Sequence, residues 1–408
     1  MRILIHSDEY YPTAQACSYR MQVFVKSFME MGDDVIVITS SANKKNGTID
    51  RRLHPEKIIY TPTIRMKKKT IIMRLLNNLS FGIMSVFSSL GTGKIDVVIT
   101  TSPPPLVSLP GWFIAKIKGA KLVYDVRDVW PDVALEMGSF TKGSLFCKIF
   151  SAIVNFMYRH ADIITTVSLG KAAKIREYVS LLSGGKSGPE HTDKVWLVEN
   201  GFDEDVEKND FDQNVIDKYG IDKKFTCVYI GNIGLAQGLG ALLAVAAKTK
   251  HKDIQFLCFG MGAEKEMLEK KVESEGLTNV RFCGVIEHSK VASIFSRSKI
   301  SFIPLKNGNM KDSVPTKVYE ALGLGCPVFL VAEGDSTVIV DETQLGRHVS
   351  PDHPEELSRV FDNLVENYDS IITHKDNAIH LMHDKHSRQK IAKRFEQQLQ
   401  QLCQANRP

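Results

Sequence analysis

Short apolar runs alternate with longer amphipathic stretches along the chain, and this alternation occurs twice. Runs of this length, rich in Val and Ile, are typical of buried strands in a parallel sheet, and the stretches between them have helical spacing. In the first half the pattern predicts strands over residues 2–7, 34–39, 96–100, 121–125, 162–167 and 195–198. A helix is expected over residues 18–31, where Gly32 ends it.

The alternation restarts after residue 200. Predicted strands cover residues 226–230, 255–259, 280–283, 300–305 and 328–332, and a polar amphipathic helix is expected over residues 388–402. Strands that alternate with helices form parallel α/β sheets with right-handed crossovers. The sequence therefore predicts two Rossmann-like, doubly wound domains followed by a C-terminal helical segment.

Composition restricts the class of protein. The chain has 408 residues, of which 43% are hydrophobic and 24% charged, so it is long and apolar enough for two globular domains. A net charge of +5 does not indicate a nucleic-acid partner. The seven cysteines form no C-x-x-C motif, so we expect neither zinc nor a disulfide framework, and a reducing cytoplasm is the natural compartment. We expect no signal peptide and no membrane-spanning helix.

One region has the pattern of a segment that lies on a membrane surface. Basic side chains cluster between residues 65 and 74, and the following residues up to 87 are mostly apolar. A basic head on an amphipathic helix is typical of interfacial membrane binding. The alternative is a core helix preceded by a solvated basic loop. A second apolar helix, predicted over residues 145–158, belongs either to the core or to the same membrane-facing patch.

The stretch over residues 312–328, D-S-V-P-T-K-V-Y-E-A-L-G-L-G-C-P-V, has the pattern of an anion-binding helix. Pro315 suits the first helical position. The free N–H groups and the dipole at such a helix start attract a phosphate, and Lys317 adds a positive charge there. Glu320 follows one turn later, where a carboxylate can accept hydrogen bonds from a diol, so the pair indicates a nucleotide. The alternative is an ordinary αβ unit with a lysine on its surface.

This stretch resembles the E-x7-E motif of glycosyltransferase family 4, whose members have the GT-B fold of two facing Rossmann-like domains. Glu320 matches the second Glu, and residues 321–328 match the A-x-x-x-G-x-P-V tail that follows it. The first Glu is replaced by Asp312, which is one methylene shorter. The P-T-K-V-Y-E-A-L run is similar to a branch of WbuB-like enzymes that build O-antigen, capsule and exopolysaccharide. The run E-N-G-F-D over residues 199–203 is similar to the family's P-N-G-V-D, which marks the passage between domains, so the implied domains are residues 1–198 and 199–385. In this fold a C-terminal helix crosses back to the first domain, and residues 386–408 are the implied segment.

The resemblance implies that the second domain binds a nucleotide-sugar donor. Its G-N-I-G-L-A-Q-G-L segment is similar to the family's G-R-x-x-x-x-K-G, but Asn232 and Gln237 occupy the positions of the two cations. Backbone amides of this loop can still bind phosphate. We expect Lys317, helped by Lys306 or Lys311, to supply the missing charge.

A G-x-G pattern over residues 260–262 is also similar to a family motif. Glycine permits close approach of the backbone, so we expect these residues to lie against the nucleotide. The implied donor-binding residues are Gly231, Asn232, Gln237, Gly260, Gly262, Thr316, Lys317 and Glu320.

In the first domain the resemblance implies an acceptor site. The segment after the strand over residues 121–125 is similar to a D-x-R-D-x-W-P motif of this branch. Ligands bind outside the carboxyl ends of strands in doubly wound sheets, so Asp128 is the candidate that orients an acceptor hydroxyl. The usual glycine pair of the first loop is replaced by Ala16 and Cys17. The predicted acceptor-binding residues are Tyr11, Arg20, Arg127 and Asp128. An Arg–Asp pair that only holds a loop, and a merely packed Tyr11, are the alternatives.

The resemblance implies a retaining glycosyltransferase that moves a sugar from a UDP-sugar to a glycan linked to polyprenyl diphosphate. Asp128, Asp312 and Lys317 are the predicted catalytic residues, and no metal or other cofactor is expected because no suitable D-x-D motif is present. The sugar is expected to be an N-acetylamino or 6-deoxy sugar. The protein is expected to be cytoplasmic and to lie on the inner face of the plasma membrane through residues 65–87. A GT-B UDP-sugar 2-epimerase and a non-catalytic scaffold that binds nucleotide or lipid are the alternatives.

Overall fold

Two compact units make up the chain in the computed structural model, which describes residues 1–12, 16–43, 54–64, 71–136, 138, 141–183, 193–208, 210–306 and 310–404. The first unit is Met1–Asn200 with Gln389–Pro408, and the second is Gly201–Arg388. The chain passes from one unit to the other after Asn200 and again after Arg388, and the predicted boundaries after residues 198 and 385 lie slightly earlier. The predicted α/β class with two parallel sheets is confirmed.

The first unit is a seven-stranded sheet with helices between its strands. Its strands are Arg2–His6 (β1), Asp34–Ser40 (β2), Lys57–Thr61 (β3), Val97–Ser102 (β4), Lys121–Val126 (β5), Ile163–Thr166 (β6) and Val195–Leu197 (β7). Its helices are Ala16–Glu30 (α1), Ile71–Leu90 (α2), Pro105–Lys118 (α3), Asp132–Glu136 (α4), Leu145–His160 (α5) and Leu169–Leu182 (α6). Serine side chains cap two of them, because Ser144 accepts from the Cys147 amide and Ser168 from the Lys171 amide.

The strand order of this sheet is β3-β2-β1-β4-β5-β6-β7, and the described pairs are parallel. Ile3 pairs with Val35 on one side and with Val97 on the other. The strand order reverses at this point. The carboxyl ends of β1 and β4 therefore flank the crevice where doubly wound sheets bind ligands.

The second unit repeats the architecture with six strands. These are Thr226–Ile230 (β8), Gln255–Phe259 (β9), Val280–Gly284 (β10), Ile300–Pro304 (β11), Val328–Val331 (β12) and Gly346–Val349 (β13). Its helices are Gln213–Tyr219 (α7), Gly240–Lys248 (α8), Lys265–Ser274 (α9), Val291–Arg297 (α10), Thr316–Gly323 (α11), Asp335–Thr343 (α12), Leu357–Glu366 (α13), Tyr368–Ile372 (α14) and Lys375–Asp384 (α15). The order β10-β9-β8-β11-β12-β13 reverses between β8 and β11, so the loops after these strands border its crevice.

The last helix, Arg388–Gln404 (α16), packs in the first unit. The ring of Phe395 lies 5.7 Å from that of Phe24 and 5.9 Å from that of Phe28, measured between centroids. Ile391, Ala392 and Leu399 are buried in the same cluster. Within the described part of the chain, no helix has the length and apolar character needed to cross a bilayer.

Candidate functional site

Two glycine-containing loops interlock at the carboxyl edge of the second sheet. The Gly231 amide donates to the Phe259 carbonyl at 2.9 Å, and the Ile233 amide donates to the Met261 carbonyl at 2.9 Å. The Glu264 amide closes the arrangement by donating to the Ile233 carbonyl at 3.1 Å. The loops after β8 and β9 therefore form one bonded surface rather than two independent ones.

This interlocking accounts for the glycines at 260 and 262. A Cβ on Gly260 would lie 1.8 Å from the Gly231 carbonyl oxygen, and one on Gly262 would lie 2.1 Å from the Ile233 carbonyl oxygen. Gly260 also has φ +148°, a conformation that favours glycine. From the sequence, these two glycines are expected to lie against the nucleotide. In the structure it is the neighbouring loop that requires them.

The start of α11 differs from the prediction in one detail. Pro315 is the N-cap residue, with φ −61° and ψ 136°, so the helix begins at Thr316 and not at Pro315. The extended ψ of Pro315 keeps it outside the helix. Its side chain cannot accept a hydrogen bond, and no side chain caps the helix. The first turn therefore keeps the donor character that attracts an anion.

Lys317 lies in this first turn and points toward the Gly231 loop. Its ammonium nitrogen is buried, has no hydrogen-bond partner, and lies 4.1 Å from the centre of the Tyr229 ring. A Cβ on Gly231 would be 3.3 Å from this nitrogen, so glycine leaves the ammonium room beside the backbone. The Tyr229 hydroxyl donates to the Asn232 carbonyl, which fixes the ring.

The surroundings of Lys317 make its charge costly. Burial of the ammonium lowers the pKa of Lys317 to about 7, while the carboxylate of Glu320 acts in the opposite direction. A cation over an aromatic face is stabilised by the ring, but the ring replaces neither water nor a counter-ion. An anion that reached this nitrogen would supply the missing partner.

Asn232 and Gln237 bond to each other across the loop. Asn232 Nδ2 lies 3.4 Å from Gln237 Oε1, and the Gly234 amide donates to the same oxygen at 3.2 Å. Of the two predicted helper lysines, Lys311 is paired with Glu333 at 2.8 Å and Lys306 is exposed. The buried cation at this edge is therefore Lys317, among the residues that the structure describes.

The other predicted donor residues line the same stretch. Asp312 is half-buried in the turn before the helix, Thr316 is the first helical residue, and Glu320 lies one turn later, half-buried on the side of Lys317. The structure thus places Gly231, Lys317 and Glu320 at one edge.

A cavity of about 350 Å³ in the second unit lies elsewhere. Gly346, Arg347 and His374 are among its lining residues, and Gly346 is the first residue of β13. The cavity therefore lies at the amino edge of the sheet, opposite the edge where doubly wound sheets bind ligands.

In the first unit, Arg20 does not have the predicted position. The side chain is 1% exposed, and its guanidinium donates to the carbonyls of Val198 and Glu199, both at 2.6 Å. It also lies 3.4 Å from Asp125 Oδ1. Arg20 therefore holds the end of β7 and the chain that follows it, and the structure does not support an acceptor contact.

Arg127 and Asp128 lie at the carboxyl end of β5, as the motif predicts. The Arg127 guanidinium donates to the Pro103 carbonyl at 3.0 Å, and its Nε is buried without a partner. Burial acts to lower the pKa of Arg127, but Cys17 and the nearby carboxyl groups of Asp125, Asp128 and Asp8 raise it above its ordinary value.

Lys171 was not singled out in the sequence, although it holds this pair. Its ammonium donates to the Arg127 carbonyl at 2.6 Å and to Asp128 Oδ1 at 3.1 Å. The Asp128 side chain is 38% exposed, so it remains accessible to a hydroxyl group. In the sequence, Lys171 could have been identified because it follows the end of the next strand, three residues after the Ser168 cap, and therefore lies at the same sheet edge as Asp128.

Asp8, directly after β1, is a second residue that sequence reasoning missed. Burial raises the pKa of Asp8 to about 7, helped by Glu9 and opposed by Arg127. A carboxyl group that titrates near neutral pH is suited to proton transfer. The run S-D-E after the first strand gave a weak signal, because it puts carboxylates at a ligand-binding edge.

Two further residues of this edge, Tyr11 and Cys17, are packed. The Tyr11 ring lies 3.7 Å from the His54 ring, between centroids, and the Tyr11 carbonyl accepts from the Tyr60 hydroxyl. Cys17 is buried, and burial raises the pKa of its thiol to about 11. Cys17 lies in the first turn of α1, so a buried side chain occupies one of the two positions where the family pattern has glycine.

Three helices of the first unit carry the apolar surface predicted from the sequence. α2 packs against α3, and α3 against α5. Their exposed apolar side chains include Ile83, Phe87, Phe113 and Leu145, which are 52%, 62%, 48% and 71% exposed. The basic residues at 65–69 lie outside the described part of the chain. Helix α5 belongs partly to the core and partly to the exposed apolar surface, the two alternatives expected from the sequence. One of its faces is buried, whereas Leu145, Phe146 and Ile149 are exposed.

The second unit matches a known protein family. Residues 211–380 match the family model of glycosyl transferases group 1. The chain is 24% identical over 347 residues to the putative colanic acid biosynthesis glycosyl transferase WcaI of Escherichia coli (strain K12), which covers 82% of this chain and 84% of that protein. It is 22% identical over 276 residues to the probable glycosyltransferase WbjE of Pseudomonas aeruginosa, 66% of each chain.

Solved structures show the fold. The crystal structure of Anabaena Alr3699/HepE in complex with UDP and glucose superposes with a TM-score of 0.74 at 14% identity, over 98% of this chain and 100% of that one. The predicted GT-B architecture is therefore confirmed, as a likeness of fold.

Proposed function

We propose that this protein is a retaining glycosyltransferase that transfers a sugar from a UDP-sugar to a lipid-linked glycan during assembly of a bacterial surface polysaccharide. The observation that carries the proposal is Lys317, a buried ammonium without a partner in the first turn of a helix, beside the backbone of Gly231. The family match over residues 211–380 and the polysaccharide-related relatives support the same class.

The second unit would bind the donor. Lys317 and the first turn of α11 would hold the diphosphate, and Glu320 would accept hydrogen bonds from the ribose hydroxyls. Asp312 would bind the sugar. UDP is the proposed nucleotide because HepE, which shares the fold, was crystallised in complex with UDP and glucose.

The first unit would bind the acceptor. Asp128, which Lys171 holds at 3.1 Å, would orient the acceptor hydroxyl, and Arg127 would bind an acceptor phosphate. During transfer the bond from the sugar to the UDP oxygen breaks and a bond to the acceptor oxygen forms on the same face. The hydroxyl proton passes to the leaving phosphate, and Lys317 stabilises the charge that develops there.

The apolar helices supply a way to reach a lipid-linked acceptor. Exposed side chains such as Ile83 and Phe87 are suited to burial at the boundary of headgroups and acyl chains. These side chains support our proposal that the protein lies on a membrane surface, and the cytoplasmic face is the one expected from the sequence. An N-acetylamino or 6-deoxy sugar, and membership of the WbuB-like branch, remain predictions from the sequence motif.

The test measures UDP release from a panel of UDP-sugars with membrane lipid extracts, in EDTA. We expect UDP release that depends on the extract and persists in EDTA, and a product whose anomeric configuration equals that of the donor. Formation of a new UDP-sugar without UDP release would support a 2-epimerase instead. Nucleotide binding without turnover of any donor would support a scaffold, which the neutral Asn232 and Gln237 favour. Loss of activity in EDTA would contradict the metal-free mechanism.

A further inference from the structure

An apolar groove lies between α2 and α3 in the first unit. Its volume is about 400 Å³, within the range of small-molecule sites. Leu79, Ile83 and Val86 form one side, and Leu109, Trp112 and Phe113 form the other. Among its lining residues only Asn78 and the indole N–H of Trp112 carry polar side-chain groups, so the groove is almost wholly apolar.

The groove is held by close packing. A Cβ on Gly82 would lie 2.7 Å from Pro110 Cγ, so glycine lets the two helices approach at this point. The Trp112 ring packs edge-on against Phe156 of α5, with 4.9 Å between centroids. These rings are fixed before any ligand arrives, which reduces the entropy cost of binding.

The helices around the groove carry one sign of charge. α2, α3 and α5 contain no Asp or Glu, whereas basic residues occur on each of them. Exposed examples are Arg74, Lys116, Lys148 and Arg159. An apolar groove with a basic surround fits an amphiphile that has an apolar tail and an anionic group.

The groove is connected to the candidate acceptor site through one short loop. Leu106, at the start of α3, lines the groove, and Pro103 lies three residues earlier. The Pro103 carbonyl accepts the hydrogen bond from Arg127, whose Nε is buried without a partner. The end of the groove at Leu106 is therefore only three residues along the chain from Pro103, the residue that Arg127 contacts.

We propose that this groove binds the hydrocarbon tail of a prenyl phosphate-type acceptor, with its phosphate toward Arg127. This rests on the proposed function and narrows it to a single-chain anionic lipid that is recognised by the enzyme itself, rather than by the membrane around it. Apolar contact in the groove would then add affinity with each isoprene unit until the groove is filled.

The experiment titrates geranyl, farnesyl and geranylgeranyl phosphate, each below its micelle concentration, into the full chain by calorimetry. We expect affinity to rise at least tenfold, on the order of the burial of two or more methylene-sized groups, with each isoprene unit until the groove is filled. Ile83→Glu puts a carboxylate at the groove wall and should abolish the chain-length dependence. Ile83 is 52% exposed, so this variant should fold.

Phe87→Glu is the matched control. Phe87 is on the same helix, 62% exposed, and outside the groove lining, so this variant should weaken binding to anionic vesicles yet keep the chain-length dependence. The groove proposal would be overturned if no prenyl phosphate bound, or if both variants lost affinity for prenyl phosphates equally. The apolar helices would then act only as a general membrane-binding surface. UDP release in the lipid-extract assay without prenyl phosphate binding would refute the groove alone. Prenyl phosphate binding without any UDP release would refute the proposed function alone.

Discussion

The ammonium nitrogen of Lys317 lies 4.1 Å from the centre of the Tyr229 ring, buried and without a hydrogen-bond partner. A buried cation of this kind is costly unless a ligand pairs with it. Helix α11, which carries Lys317, and strand β8, which carries Tyr229, hold the ammonium in this buried position beside the Gly231 loop. Tyr229 is at the end of a buried strand, and its hydroxyl is bonded to the Asn232 carbonyl.

The first prediction is that UDP binding takes up a proton. The pKa of Lys317 is about 7 in the free protein, and a diphosphate beside the ammonium would raise it. At pH 8 the free side chain is mostly neutral and the bound one charged, so we expect uptake approaching one proton per UDP. Affinity should therefore decline as pH rises above 7. Calorimetry at pH 8 in two buffers of different ionisation enthalpy measures the uptake.

The control for proton uptake is Lys311→Ala, which removes a lysine that is already paired with Glu333 and should leave the uptake unchanged. Lys317→Gln should remove it. Equal heats in both buffers for the wild-type protein would show that Lys317 is not the group that pairs with the diphosphate.

The second prediction concerns the neutral pair Asn232 and Gln237. Replacing both together, Asn232→Arg with Gln237→Lys, restores the charges of the family pattern in place of their mutual hydrogen bond. A charge-assisted contact contributes about 1.5–3 kcal/mol, so UDP should bind at least tenfold more tightly. Asn232→Gln, which adds length without charge, is the control. An unchanged dissociation constant in the double variant would mean that this loop does not face the diphosphate.

The third prediction separates two reasons for glycine. Gly260→Ala would clash with the Gly231 carbonyl at φ +148°, and we expect it to lower the free energy of unfolding by about 3 kcal/mol. Gly284 also has positive φ, +78°, but a Cβ there meets nothing within 4 Å. Gly284→Ala should therefore cost only about 1 kcal/mol. Denaturant unfolding measures both, and equal losses would refute the role given to loop interlocking.

The fourth prediction concerns Arg20. Removing a partner from a buried ion pair costs about 3–5 kcal/mol, so Arg20→Ala should lower the free energy of unfolding by that amount. Arg176→Ala removes an exposed arginine that donates to the Val195 carbonyl and should cost about 1 kcal/mol. A stable Arg20→Ala variant with a raised acceptor KM would restore the acceptor role that the sequence indicated.

The sequence predicts the fold well because its evidence is local. Strands over 226–230 and 255–259 have the predicted bounds, since continuous apolar runs between turn residues define them. Lys317 and Glu320 were found because a helix start, a cation and a carboxylate follow one another within a few residues. Pro315 was misplaced by one position, because propensity does not distinguish an N-cap from the first helical residue.

What the sequence missed depends on contacts between distant segments. Arg20 bonds to carbonyls nearly half the chain away, so nothing near it indicates burial. Burial raises the pKa of Asp8 against the opposing charge of Arg127 from another strand end, and Lys171 reaches Asp128 from the next helix. The glycines at 260 and 262 match a nucleotide motif in the sequence, and the atoms they accommodate belong to the loop after another strand.

The most direct test of the central claim is titration of UDP, without metal and in EDTA at pH 7, into the wild-type protein and two lysine variants. We predict that Lys317→Ala weakens UDP binding about 10- to 100-fold, since it removes a charge-assisted contact to the diphosphate. Lys311→Ala should bind as the wild type does. Wild-type affinity in Lys317→Ala, or no UDP binding by the wild-type protein, would contradict the account.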